Sequence, residues 1–425
     1  MKIYEYIFSA AMLAASVCGC ARNSGEMAAS NECEPLFLNI ETLPEGGYSL
    51  ISVSPFDGSR DTLEISKPLN RLIVMSTSYI GFLDAIGADS LIVGVSGGEY
   101  VCDSSVATGL DNGTVTDIGY DASPDYEKIM ALKPDLLLTY SVSPVKSQFL
   151  SKLESLGIKT FIVNEHLERH PLARAAYVRL FGALTGNMTA ADSVLKAVSE
   201  NYISLRDSVR SSLRTNDTSD KNRLNAREAE HESGETEMKA LKQRKILVNI
   251  PYKDQWFVPG QESYLTTLFK DAGGEILGAK AGSSISSQIS VEAAYSLSKE
   301  ADLWMNVGWC QTLEQLLSVN PLFEDFLRNI QGNATARGYC SDKDSSDAVS
   351  ANVFWNDNKQ GYNLEVCGRD VSANTVWNDN KRLNAKGGND FWESGVVRPD
   401  LLLRDLVGIF NEDGGYTPIY YKAIK

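Results

Sequence analysis

Two stretches far apart in the chain share one grammar. Pro124 to Tyr140, PDYEKIMALKPDLLLTY, sets Ile129, Met130 and Leu132 at helical spacing behind the acidic pair Asp125 and Glu127, then runs into a short apolar segment after Pro134. A proline ends a helix because its ring blocks the next turn and it carries no N–H. An unbroken apolar run of this length reads as a parallel strand covered on both faces. Ser287 to Val307, SQISVEAAYSLSKEADLWMNV, repeats the order: Glu292 opens an amphipathic helix, Lys299, Glu300 and Asp302 form a charged turn, and Leu303 to Val307 is a buried run. The repetition predicts two similar α/β lobes, each with a glutamate at the start of the matching helix.

The chain is long enough for two full cores, with 425 residues of which 43% are hydrophobic. Its net charge of −15 argues against nucleic acid as a partner and against a polybasic membrane face. No nucleophile elbow, phosphate loop or His-containing triad is present, so an enzyme is not expected. Gly387-Gly388-Asn389 lacks the surrounding strand–helix unit of a dinucleotide fingerprint.

At the amino terminus Lys2 precedes an apolar run, Ile7 to Val17, that is too short to span a bilayer and suits the h-region of an export signal. With Val17-Cys18-Gly19-Cys20 it resembles a bacterial lipoprotein signal in residues 1–20, Cys20 being the lipidated residue. An ordinary cleaved signal, or Cys18 as the modified residue, is the alternative. Residues 21–35 read as a flexible tether. Cys33, Cys102, Cys310, Cys340 and Cys367 remain, without metal-site spacing, and Cys340 with Cys367 is a candidate disulfide across an inserted loop.

Residues 36–66 alternate in places and carry turn signals at Glu45-Gly46-Gly47 and Phe56-Asp57-Gly58, predicting a small N-terminal β element. From 67 to 186 strands and helices alternate, as in a parallel sheet covered by helices. Residues 187–213 predict one long helix with apolar Val194, Leu195, Val198, Tyr202, Leu205 and Val209, a candidate spine between lobes. Residues 214–244 are almost free of apolar side chains and read as a charged, solvated insertion. The second α/β lobe takes 245–425. Within it Ser350–Lys359 recurs as Ser372–Lys381, which reads as a tandem duplication lengthening one surface loop, inserted at about 332–372.

The lipoprotein-type start, DYEKIMALKPDLLL, ISVEAAYSLSKEADLWMNVG, the single linking helix and LNAKGGNDFWESGVVRPDLLLRDL together resemble the substrate-binding lipoproteins of ABC importers for iron complexes and cobalamin, in the branch found in Bacteroides-like bacteria. The resemblance runs from about Arg71 to the C-terminus apart from the two insertions. It implies the class III periplasmic-binding fold, an α/β architecture of two lobes with parallel-type sheets joined by one long helix, with ligand held between the lobes. It implies a metal chelate as ligand (ferric siderophore, haem or corrinoid), no cofactor, and an ABC permease with its ATPase as partners. A monomer in the cell envelope, held to the membrane through a lipid anchor, completes what it implies. By position, Glu127 and Glu292 correspond to the glutamates that dock the family's lobes into arginine pockets of the permease. A first-turn glutamate that only complements the helix dipole is the alternative for each.

Candidate ligand-binding residues are aromatic and follow strand ends, where open α/β sheets bind. Trp256 and Tyr252 follow the second lobe's first strand, although a core position at the strand end is the alternative for Trp256. Tyr264 stands at a helix entrance and Trp309 follows Leu303 to Val307. The first lobe offers Tyr79 and Tyr100, and the segment before the last helix offers Arg382 and Trp392, with a surface ion pair as the alternative for Arg382. His166 and His170 lie in a stretch broken by Pro171, so a bare-metal receptor is a weaker reading. A chelatase-like enzyme on the same two-lobed fold is the other alternative.

Overall fold

In a computed structural model the described residues are 34–336 and 375–425, except 121, 144, 146, 224–242 and 413–414, together with the short strands at 355–356 and 361–362. Cys20, the signal, most of the tether, most of the charged insertion, Cys340, Cys367 and most of the first repeat copy lie outside them.

The chain enters through an antiparallel three-stranded sheet, Leu38–Thr42, Tyr48–Val53 and Arg60–Ile65. The first lobe is a five-stranded parallel sheet in the order Thr160–Ile162, Leu136–Thr139, Leu72–Val74, Ile92–Val95, Thr116–Asp117. Its two central strands, Leu136–Thr139 and Leu72–Val74, are buried at every position, because helices cover both faces and leave no solvent side for polar residues. The second lobe orders its strands Gly274–Ile276, Arg244–Val248, Leu303–Met305, Val376–Asn378, Lys422–Ala423, the last pairing antiparallel.

The matched stretches form matched structures. Tyr126–Leu132 is a helix capped by Asp125, whose carboxylate accepts the Lys128 N–H at 3.0 Å, and Leu136–Thr139 follows it to pair beside the lobe's first strand. Val291–Ser298 is a helix capped by Ser290, whose hydroxyl accepts the Ala293 N–H at 3.2 Å, and Leu303–Met305 follows it into the same place of the second sheet. Each cap satisfies an otherwise orphaned donor and contributes about 1 kcal/mol. A short antiparallel strand pair precedes each helix, Gly119–Tyr120 with Ser123–Pro124 and Trp256–Val258 with Ser287–Ile289. In the first lobe Lys133 adopts a left-handed conformation, φ 46°, that stops the helix one residue before Pro134.

The linking helix runs Met188–Arg223, beyond the 187–213 expected from apolar spacing, because nothing in its polar continuation breaks a helix. Ala191 is buried in the first lobe's core, whereas Val198 and Tyr202 are buried in the second's, so consecutive turns of one helix belong to different cores. Tyr202 donates its hydroxyl to Asp271 at 2.8 Å, and Arg210 pairs with the same carboxylate at 2.8 Å. The lobes also exchange residues. Leu172 and Ala175 enter the second lobe's core, and Val396 and Val397 enter the first's.

Two features depart from expectation. The second repeat copy is not surface loop: Val376–Asn378 is an interior strand between Leu303–Met305 and Lys422–Ala423. Of the first copy only the backbone of Trp355–Asn356 is described, paired antiparallel with Gly361–Tyr362. Trp256 is wholly buried, and its indole N–H donates to the Val248 carbonyl at 2.8 Å. It packs with Trp304, Phe323 and Phe326 at centroid distances of 5.7 to 6.0 Å. Trp256→Ala should therefore cost about 3–5 kcal/mol of stability, read as a lower denaturant midpoint. A loss below about 1 kcal/mol would contradict this packing.

Candidate functional site

The carboxyl ends of the first lobe's strands open onto the loop that precedes the second lobe's last helices. Between them lies a cavity of about 370 Å³ lined by Met75, Thr77, Ser96, Gly97, Tyr100, Tyr120, Tyr140, Gly387, Gly388, Asn389 and Trp392. Tyr100 and Tyr120 are tilted against each other at 6.5 Å, and the Tyr120 hydroxyl donates to Glu99 at 2.6 Å. That bond to a carboxylate drives the phenol well above its ordinary range. Tyr140, the first residue beyond Leu136–Thr139, meets the His166 ring edge-on at 5.9 Å. His166 is mostly buried there, which lowers its pKa. The walls are thus apolar faces edged with hydroxyl groups, suited to a flat, partly apolar ligand.

A larger groove of about 740 Å³ lies along the first lobe between Arg60–Ile65 and the sheet edge Thr160–Ile162, with Tyr140 on its border too. It touches one lobe only and sits at a sheet edge, so the smaller interlobe cavity is the better candidate for a site at strand ends.

The seam beside the cavity is tightly bonded. Asn384 donates from its side-chain amide to the carbonyls of Glu99 and Val101, both at 2.8 Å. Gly388 lies so close to the first lobe that a Cβ there would overlap the Tyr100 carbonyl oxygen. Gly81, in the helix Thr77–Ala85, is likewise pressed against the Glu393 carbonyl, where any side chain would clash. Glu393 is buried and accepts the Cys102 N–H at 2.9 Å. Burial raises its carboxyl from near 4.5 to about 8, outweighing the backbone hydrogen bonds that favour the charged form. Burial and the neighbouring Glu393 also push the Cys102 thiol up to about 12. Further along the seam, Glu165 takes the Ser78 hydroxyl at 2.6 Å and pairs with Arg174 at 2.5 Å, and the Arg174 guanidinium lies 4.8 Å from the centre of the Tyr264 ring.

Of the sequence candidates, Tyr100 and Trp392 line the cavity. Tyr264 lies in the seam against Arg174, and Tyr252 and Trp309 are exposed at the carboxyl edge of the second lobe, 65% and 61% accessible. Three expectations are corrected. Tyr79 is fully buried, with its hydroxyl donating to the Thr139 and Val163 carbonyls at 3.2 and 3.0 Å, so it braces strand ends from inside. Trp256 is a core residue, as described above. Arg382 is committed to Asp390 at 2.6 Å and stacked on Tyr420, the ion-pair alternative. Tyr120 and Tyr140 were missed, though Tyr140 follows its strand directly and the strand-end rule alone would have selected it.

Glu127 and Glu292 are exposed, each two residues after its helix cap, and neither forms an ion pair among the described residues. The Ser290 hydroxyl holds the Glu292 carboxyl below its ordinary range. Among the described residues no group of three or more His, Cys, Asp or Glu is placed to hold a metal ion, and no helix is long and apolar enough to cross a membrane.

Residues 72–219, which hold the first lobe's sheet and most of the linking helix, match the family model for periplasmic binding proteins. An uncharacterized lipoprotein of Methanocaldococcus jannaschii is 23% identical over 283 residues, covering 62% of this chain and 58% of its own length. The chain thus spans under two thirds of that relative. Among solved structures, a periplasmic haem-binding protein of Pseudomonas aeruginosa is 13% identical, with 84% of this chain and 98% of that one covered and a TM-score of 0.49. A periplasmic vitamin B12 binding protein of Vibrio cholerae is 12% identical, with 82% and 99% covered and a TM-score of 0.45.

Burial of the Glu393 carboxyl ties stability to pH. The folded state binds this proton more tightly than the unfolded chain, so stability falls as pH climbs from near 4.5 to about 8 and levels off above. Glu393→Gln keeps an acceptor for Cys102 and should raise Tm at pH 8 by roughly 2–4 °C, with no gain at pH 5. A lower Tm at pH 8 would show that the charged carboxylate is needed at the seam.

Proposed function

We propose that the protein is the substrate-binding component of an ABC importer, tethered to the cell envelope through Cys20. It captures a metal chelate and hands it to the permease. The observation that carries this reading is the aromatic cavity at the strand ends, enclosed between two lobes that each present an unpaired glutamate at the start of a matching helix. Four aromatic rings from both lobes suit a chelate whose periphery is flat and apolar. Binding rather than catalysis is supported by the family match and by the chemistry of the walls, which offer packing surfaces and hydroxyl groups.

Capture in this reading requires little lobe movement, because one helix serves both cores and the seam is hydrogen-bonded across. Release then falls to the permease, which grips Glu127 and Glu292 through charge-assisted pairs. An exposed pair of carboxylates at equivalent points of two lobes fixes orientation on a two-fold partner.

A spectral titration of the purified protein with haem, cyanocobalamin and a ferric hydroxamate should give stoichiometric binding of one of the three without turnover. Trp392→Ala should weaken that binding roughly 10-fold or more through the lost aromatic contact. No binding of any chelate, or conversion of one, would sink the reading. Glu127→Ala combined with Glu292→Ala should abolish uptake in cells while leaving the measured Kd unchanged. Retained uptake would remove these residues from the docking role.

A further inference from the structure

The larger groove, of about 740 Å³, takes no part in the cleft, and two different units build it. One wall is the outer edge of the first lobe's parallel sheet, Thr160–Ile162, flanked by the helix Gln148–Ser155. The other is the last strand of the N-terminal sheet, Arg60–Ile65. That strand precedes residues 72–219, so the groove depends on a β element outside the family match.

The sheet edge carries backbone groups without partners. Leu137 donates its N–H to the Lys159 carbonyl and Val163 donates to the Thr139 carbonyl, at 2.9 and 2.7 Å. In a parallel pair such bonds engage every second residue of a strand. The register therefore commits the N–H and C=O of Phe161 to Leu136–Thr139 and turns those of Thr160 and Ile162 outward. No hydrogen bond among the described residues takes up these outward groups. An edge of this kind is a template for pairing with another strand unless it is covered, and here it faces a groove.

The rest of the groove suits a polypeptide. Leu63, Ile158 and Ile162 are only half-buried and, with Phe149 and Leu150, give it an apolar floor. Lys159 stands at one end of the edge strand. Arg60 stands toward the other end, since its register partner Val53 accepts the Asn164 side-chain amide at 3.2 Å and Asn164 follows Ile162 by two residues. Both cations are exposed and form no ion pair among the described residues, on a chain whose net charge is −15. The acids on the lining, Asp61 and Glu154, already have partners.

We propose that this groove binds an extended, acidic polypeptide segment, which adds a strand to the edge Thr160–Ile162. The incoming backbone meets the outward N–H and C=O groups, alternate side chains fall on the apolar floor, and acids near the two ends meet Lys159 and Arg60. In strand addition the main-chain bonds supply affinity and the side-chain contacts supply selectivity. A strand rises about 3.3 Å per residue, so the stretch from Lys159 to Asn164 accepts a segment of about five or six residues. The site does not rest on the transport reading, because groove and cleft share only Tyr140 among their lining residues.

The test is fluorescence anisotropy with the purified full chain and a fluorescein-labelled peptide, Glu-Val-Thr-Val-Thr-Glu. Saturable binding is expected, at least about tenfold tighter at low salt than for the same peptide flanked by lysines. Two further peptides carry N-methyl groups on alternate residues, in the two possible sets. One set removes the N–H groups that pair with the edge and should abolish binding, whereas the other should leave it. Thr160→Pro deletes an outward N–H while the bonds of Phe161 to Leu136–Thr139 remain, and it should weaken binding several-fold. Arg60→Glu combined with Lys159→Glu should reverse the preference toward the lysine-flanked peptide. No saturable binding, equal affinity for the two charge types, or tolerance of both methylation sets would overturn the site. So would displacement by maltohexaose, the kind of ligand that a groove rich in serine hydroxyls could take instead, or loss of peptide binding in Trp392→Ala, which would move the peptide to the cleft. The wild-type arms decide even where a variant does not fold.

Discussion

The two lobes hold their relation because they are stitched through each other's cores. Val396 and Val397 leave the second lobe to pack in the first, Leu172 and Ala175 make the opposite exchange, and the helix Met188–Arg223 changes cores between Ala191 and Val198. A hinge needs a boundary across which few buried contacts run, and here apolar side chains cross it in both directions. Separating the lobes would expose those side chains and strip Asn384 and Glu393 of their partners. The cavity is therefore defined by a fixed seam, with Tyr100 and Gly388 in backbone contact at its edge.

That constraint explains where the functional groups sit. In the first lobe the residues just beyond the parallel strands, Met75, Ser96 and Tyr140, form one wall of the cavity, and the loop residues Gly387, Gly388 and Asn389 with Trp392 form the other. The capped helix of the first lobe runs antiparallel to the strands, starting beside the carboxyl ends of Ile92–Val95 and Thr116–Asp117 and finishing beside Arg71, and the first-turn glutamates of both matching helices stay in solvent. One architectural unit used twice thus gives both lobes an exposed glutamate at the start of the matching helix.

Much of this was legible in the sequence because it rests on local rules. The helix, stop and apolar run in Pro124 to Tyr140 are a matter of spacing and one proline, and their echo at Ser287 to Val307 announces the second lobe. What was not legible depends on long-range contacts. Trp256 and Tyr79 follow the same strand-end logic as Tyr140, yet each turns inward, since the Val248, Thr139 and Val163 carbonyls offer their polar atoms partners inside. The repeat misled for a related reason. Two copies of SAN-to-WNDNK look equivalent as text, but the pairing of Val376 with Trp304 and of Trp377 with Ala423 makes the second copy a sheet interior.

The seam also carries acids that a purely structural interface would do without. Glu393 and Asp379 are both buried with carboxyls held near neutrality, and each lowers stability at physiological pH relative to an uncharged isostere. The two differ in what surrounds them. Glu393 accepts the backbone N–H of Cys102 and so joins the lobes, which is a structural reason for its presence. Asp379 forms no such bond to another residue among those described, and burial alone raises its carboxyl.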